Sequence, residues 1–281
     1  MKSAEELWMP EEASSDDVLR PNSARMYDYL LGGGHNFAID REQVQRLLAV
    51  NPDARRAFVA NRAFLVRAVR WCAAQGVDQF LDLGSGIPTV GNVHEVAQRS
   101  SPTARVAYVD VEPVATAYAK EILADQSNAT ITRADLRDVD AVLSAPGVAG
   151  LLDFARPVAL LAVAVLHFVP GDLAPVVDAY RRALAPGSVV VLSHGSDDQD
   201  DPELAARARA SSEQYRSSDT PATPRSRAEL RRTLGGLELV PPGLVDLVDW
   251  PQSDDEEPVG IYGVVARVPG PEIRPAGGTA P

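Results

Sequence analysis

The stretch Phe80-Leu-Asp-Leu-Gly-Ser-Gly-Ile-Pro88 constrains this chain more than any other. An apolar run with β-favouring residues (Phe80, Leu81, Leu83) stops at Gly84-Ser85-Gly86, the pattern of a buried strand entering a glycine turn ahead of a helix. Such a turn lets backbone approach a ligand closely and serves several adenosine-containing cofactors. A dinucleotide fold wants a third glycine near position 89 and a pyrophosphate on the helix N-terminus. This chain has Thr89 there, with Pro88 before it. Asp82, at the strand end, repels a pyrophosphate and attracts a cationic group. The turn therefore suits a cofactor bearing an ammonium and a sulfonium better than NAD.

From Gln79 onward strand and helix signals alternate. Strands are expected at about 79 to 83, 105 to 109, 129 to 132, 157 to 164 and 188 to 193, with helices near 91 to 99, 113 to 124, 138 to 144 and 172 to 185. Alternation of this kind builds a parallel sheet covered on both faces. A polar helix (202 to 217), a short one (227 to 234) and two apolar stretches (237 to 240 and 259 to 268) follow, the last two suited to pair as an antiparallel edge. The expected fold is α/β: a Rossmann-like, seven-stranded, mostly parallel, doubly wound sheet. Three helices precede it, giving an N-terminal helical layer or lid over 21 to 76. Ser23 caps the first, which stops at Gly32-Gly33-Gly34; Asp40 with Gln43 resembles a capping box for the second; Asn51-Pro52 opens the third. One domain over 21 to 268 is expected, between an acidic, poorly ordered segment (1 to 20) and a Pro- and Gly-rich tail (269 to 281).

With 45% hydrophobic residues in 281, the chain can bury a substantial core, and its apolar runs are too short to span a bilayer. No signal-peptide pattern opens it, so a cytoplasmic protein without membrane contact is expected. A net charge of −12 disfavours nucleic acid as a partner. The arginine clusters at 55 to 70 and 225 to 232 read as solvated helix faces. Cys72 is the single cysteine and the four histidines are dispersed, so no metal site is expected.

Ligands of doubly wound sheets bind beyond the carboxyl ends of the strands, where strand order reverses. Asp110, 24 residues past Gly86, ends the second strand near the spacing at which an acid takes ribose hydroxyls. Asp135-Leu136 follows the third, a polar and an apolar group suited to an adenine amino group and ring. The fourth ends Ala164-Val-Leu-His167-Phe-Val-Pro170, placing a titratable ring at the same crevice.

Together these residues resemble the class I S-adenosylmethionine-dependent methyltransferases, whose Asp-x-Gly-x-Gly turn, acidic second-strand end and later aspartate recur as Asp82-Leu-Gly84-Ser85-Gly86, Asp110 and Asp135. A closer resemblance runs from about 20 to 268. It is carried by Arg20-Pro-Asn-Ser-Ala-Arg-Met-Tyr27-Asp-Tyr-Leu-Leu-Gly-Gly-Gly-His-Asn36-Phe37, Asn61-Arg-Ala-Phe64, Gly91-Asn-Val-His-Glu95 and Val165-Leu-His-Phe-Val169. These strings are similar to a bacterial family of S-adenosyl methyltransferases long carried as a domain of unknown function. The resemblance implies S-adenosyl-L-methionine as cofactor. Asp82 would face the methionine amino group, the amides around Gly84, Ser85 and Gly86 the methionine part, and Asp110 the ribose. Val111 and Leu136 would sandwich adenine, Asp135 would accept its amino group, and Ala164 would belong to the cofactor-facing strand tips.

Methyl transfer to a small-molecule acceptor by in-line displacement follows from such a cofactor, with proximity able to supply roughly 7 to 11 kcal/mol. His167 is the candidate base by position and by its near-neutral ordinary pKa. Flexible glycines at 32 to 34 invite a lid reading in which Tyr27 or Asn36 touches cofactor or substrate. The rival readings are a non-catalytic S-adenosylmethionine-binding sensor or assembly protein and, third, an NAD-dependent oxidoreductase. The acceptor and the oligomeric state are not legible in the sequence.

Overall fold

Asn22 starts the first helix: its side-chain oxygen accepts the N–H of Ala24 at 2.9 Å, so α1 (Ser23–Leu30) is capped one residue before the expected Ser23. The computed structural model describes residues 19–88, 91–216, 218, 220–251 and 257–270. The two expected loose ends fall almost wholly outside these residues, as does Thr89. In α2 (Ala38–Val50) Asp40 is the third helical residue and not the cap; its carboxylate reaches back to the N–H of Phe37, 2.9 Å away. The long α3 (Ala54–Ala74) buries Phe64, Leu65, Ala68, Val69 and Cys72 on one stripe, the spacing of a helix lying on a sheet.

The strands follow at β1 (Gln79–Leu83), β2 (Arg105–Asp110), β3 (Ala129–Arg133), β4 (Ala159–Val163) and β5 (Val189–Gly195), with α4 (Val93–Ser100), α5 (Pro113–Ile122), α6 (Val139–Ser144), α7 (Pro146–Ala149) and α8 (Ala174–Ala183) between them. After β5 come α9 (Pro202–Tyr215), α10 (Arg227–Thr233), β6 (Glu238–Leu239), β7 (Val245–Asp246) and β8 (Ile261–Arg267). The sheet runs β3-β2-β1-β4-β5-β8-β6, with β7 also pairing β8. Strands β1 to β5 are parallel, and β8 inserts antiparallel beside β5, with β6 antiparallel on its far side. The eighth strand, β7, was not expected; two residues leave no periodicity to read.

Alternating side chains feed two cores. Leu81, Leu83, Ala107, Val109, Leu160 and Val190 pack with Tyr180 of α8 and Leu230 of α10. Phe80, Val106, Tyr108, Leu161 and Val191 pack with Phe64 of α3 and Val96 of α4 on the opposite face. By the same period of two, Asp82 and Asp110 point to the α3 side, at the carboxyl ends of their strands.

Candidate active site

Strand order reverses between β1 and β4, and one cleft of about 870 Å³ opens there, over the carboxyl ends of β1, β2 and β4. Its lining includes Asp82, Gly84, Ser85, Gly86, Asp110, Val111, Asp135, Leu136, Ala164 and His167, together with Tyr27. Eleven of the twelve positions singled out in the sequence thus share one cavity. Asn36 is the exception. Its amide donates to Asp28 Oδ2 at 2.9 Å and to the Gly33 carbonyl at 3.0 Å, away from the lining residues.

The glycine turn is tight for a steric reason. A Cβ on Gly84 would stand 2.1 Å from Val165 Cγ2, and Gly84 and Gly86 both take positive φ, 64° and 62°. Asp110 ties the turn to β2: Oδ2 accepts the Gly86 N–H at 2.7 Å and Oδ1 the Glu112 N–H at 2.9 Å. Ala164, at the tip of β4, carries a φ of 55°, rare for a residue with a side chain, and its N–H is held by Ser193 Oγ at 2.9 Å.

The carboxylates differ in state because their surroundings differ. Burial pushes Asp82 up to about 7; Arg62 pulls it back and Asp110 adds to the rise. Burial also raises Asp110, against the pull of its backbone hydrogen bonds. Asp135 is more exposed and lies below the ordinary carboxylate range, chiefly because Arg137 binds it, with Nε 2.9 Å from both oxygens. Val111 stands 56% exposed at the cleft edge, an apolar surface left open among the described residues.

Two features tie the N-terminal helices to the strand tips, and neither was legible in the sequence. Arg25, fully buried, joins Asp40 Oδ2 (2.8 Å) to Glu112 Oε1 (2.7 Å). A hydrogen-bond chain then runs from the Ala164 N–H to Ser193 Oγ. Ser193 donates to Asn61 Oδ1 at 2.6 Å, Asn61 Nδ2 to Tyr27 Oη at 2.9 Å, and Tyr27 to the Phe58 carbonyl at 3.3 Å. The triple glycine is also pinned: Asp28 Oδ2 accepts the His35 N–H at 2.8 Å, and a Cβ on Gly33 would stand 2.0 Å from Asp28 Oδ1. Gly33 is required by a packed turn, which is how this segment is built.

His167 sits in the short 3-10 turn Leu166–Phe168 after β4, partly buried, with its Nδ1 lacking a hydrogen-bond partner among the described residues. Burial holds its pKa well below 6.5, and His194 and Arg225 push the same way. Arg225, read in the sequence as part of a solvated face, is only 5% exposed. It donates to the carbonyls of Leu166 (3.2 Å), Val169 (2.6 Å) and Gly171 (2.7 Å) and to His194 Nε2 (3.1 Å), so it clamps the loop that carries His167. His194 donates from Nδ1 to the Gly195 carbonyl at 2.7 Å, and burial first among causes lowers it to about 4.

A parallel sheet with one antiparallel insertion, a glycine turn after its central strand and acids at three successive strand tips define a class I S-adenosylmethionine-dependent methyltransferase. The profile of the S-adenosyl methyltransferase family matches residues 9–269, and the chain belongs to that family. S-adenosylmethionine is its cofactor. A methyltransferase candidate from Thermobifida fusca is 35% identical, superimposes with a TM-score of 0.85, and is matched over 91% of this chain and 98% of its own. A DUF574 family protein from Streptomyces avermitilis is 34% identical with a TM-score of 0.84, over 90% and 99%. An exported-protein candidate from Bordetella parapertussis shares the fold at 18% identity, with a TM-score of 0.55 and coverage of 90% and 81%. No curated protein matches the chain. Among the described residues no helix is long and apolar enough to cross a membrane.

Proposed function

We propose that this enzyme methylates a small-molecule acceptor, with Asp82, Asp110 and Asp135 holding the cofactor and His167 taking the acceptor's proton. The observation that carries the reading is the convergence of the three acids, the bare glycine turn and His167 on one cleft. The residues fit the group. A Cβ on Gly86 would meet only Ala24 Cβ, 3.8 Å away, Val111 offers an apolar face to a ring, and the Ser85 hydroxyl is buried without a partner among the described residues. The Gly84 and Ser85 N–H groups already donate to the Val109 carbonyl and that of Gly86 to Asp110. When bound, S-adenosylmethionine supplies an electrophilic methyl on a cationic sulfur.

Asp110 is fixed by two backbone amides, so its remaining lone pairs face a ribose without rearrangement. Asp82 meets the ammonium of the methionine part; a cation there favours its ionised form. Asp135, already ionised against Arg137, accepts the adenine amino group, with Leu136 and Val111 flanking the ring. Tyr27 and Ala164 are held at the cleft wall by the chain through Asn61 and Ser193, which keeps the reacting face rigid. His167, neutral at physiological pH, offers a free nitrogen lone pair to a proton from the acceptor.

The test is turnover to S-adenosylhomocysteine with a panel of cell metabolites, comparing wild type with His167→Ala. Loss of turnover in the variant with cofactor affinity kept supports the assignment. Tight cofactor binding with no turnover on any acceptor favours a non-catalytic binder instead.

A further inference from the structure

Resting on the methyltransferase reading, we propose that the part of the cleft bounded by Tyr27, Phe58, Phe168 and Tyr215 receives a neutral, planar aromatic acceptor whose hydroxyl is the methylated group. The four rings line the cleft from α1, α3, the turn after β4 and α9. Tyr27 and Phe58 have centroids 5.1 Å apart, Phe168 and Tyr215 5.8 Å, and His167 lies 4.2 Å from Phe168. The wall is thus aromatic up to the candidate base. Aromatic walls recognise flat π systems through offset-stacked and edge-to-face contacts. The volume of about 870 Å³ lies near the top of the range for small-molecule sites and leaves room for a second molecule beside the cofactor.

Charge selects against an anionic acceptor. Arg207 is engaged by Asp53 and by Glu203 (2.5 Å), and Arg56 donates to the carbonyls of Glu257 and Pro258 (3.3 Å). Arg62 is set against Asp82. Polar recognition comes instead from uncharged groups. Thr220 Oγ1 and Asn51 Oδ1 belong to cleft residues and are buried without partners among the described residues. Such groups are unfavourable until a ligand's hydroxyl or the like satisfies them.

A hydroxyl fits the chemistry because it must shed a proton to become a strong nucleophile, and the nearby imidazole is uncharged. The acceptor's O–H bond breaks with its proton passing to a His167 nitrogen. The oxygen's electron pair forms the new C–O bond to the methyl, and the sulfur–methyl pair returns to sulfur, leaving a neutral thioether. His167 then gives its proton to solvent.

The experiment uses the full chain. S-adenosylhomocysteine is titrated first; failure to bind sinks the methyltransferase reading together with this one. With that ligand saturating, β-naphthol, β-naphthoate and the fully hydrogenated naphthol are titrated by calorimetry. The expected result is that β-naphthol binds and the saturated analogue and the carboxylate each bind about tenfold or more weakly, the effect of about 1.4 kcal/mol. Phe58→Ala and the apolar but non-aromatic Phe168→Leu should each weaken naphthol about tenfold while leaving S-adenosylhomocysteine affinity unchanged. Three probes binding alike, carboxylate preference, or no naphthol binding to the loaded protein overturns the inference and leaves the cofactor reading standing. Where a variant fails to fold, the ranking of the probes on wild type decides.

Discussion

Arg25 and Glu112 form an ion pair of 2.7 Å with neither side chain more than 5% exposed, across 87 residues of sequence. Arg25 also binds Asp40, so one guanidinium fastens α1 and α2 to the residue that caps α5, two positions beyond Asp110. The N-terminal helices are therefore part of the site's frame. Arg25→Met strands two buried carboxylates and should destabilise the fold by about 3–5 kcal/mol, measured by urea unfolding. A loss below about 1 kcal/mol would show that the cluster does not hold the frame.

Asp82 is expected to govern the pH dependence of cofactor binding. An aspartate raised to about 7 in the folded state is protonated where the unfolded chain has already released its proton. The free protein therefore loses stability as pH climbs from the ordinary aspartate range to about 7, and Asp82→Asn should remove that slope. A cationic ligand favours the ionised form, so S-adenosylmethionine should bind more tightly as pH rises through about 7, and the variant should show a flatter profile. Parallel profiles for wild type and Asp82→Asn would contradict the assignment.

Gly84 is held to glycine by contact and by conformation together. Gly84→Ala should cost about 2–4 kcal/mol, read as a lowered urea midpoint, because a φ of 64° and a clash with Val165 both penalise a side chain. Adding Val165→Ala should recover part of the loss, leaving the conformational share. Full independence of the two substitutions would mean that the turn and the β4 tip do not touch.

Arg225 positions the His167 loop through carbonyls and not through a carboxylate. Arg225→Lys keeps the charge but not the planar fork, so it should destabilise by about 2 kcal/mol and lower kcat with KM for the cofactor unchanged. Equal kcat in the two proteins would reduce Arg225 to a structural residue.

What the sequence disclosed follows physical range. The strand at 79 to 83 was legible to the residue because an apolar run ends at a glycine turn, and Asp82, Asp110 and Asp135 were legible because strand tips converge in any doubly wound sheet. Helix caps slipped: Asn22 outcompetes Ser23, and Asp40 serves three partners at once, the N–H groups of Asn22 and Phe37 and the Arg25 guanidinium. The arrangements that hold the site, Arg25 with Glu112 and Asn61 with Ser193, join positions 87 and 132 residues apart, a distance at which no periodicity speaks. Asn36, offered as an alternative to Tyr27, lies outside the cleft lining for the same reason. Its buried partner, Asp28, is set by the fold of the glycine turn and not by the run of letters around it.

Calorimetric titration of S-adenosylmethionine into wild type and Asp110→Ala, with circular dichroism as the check on folding, reaches the centre of this account. Saturable binding by wild type and about tenfold or greater weakening in a folded variant are expected, as the loss of a charge-assisted hydrogen bond worth about 1.5–3 kcal/mol requires. Equal affinity in the two proteins would mean that the acids at the strand tips do not hold the cofactor.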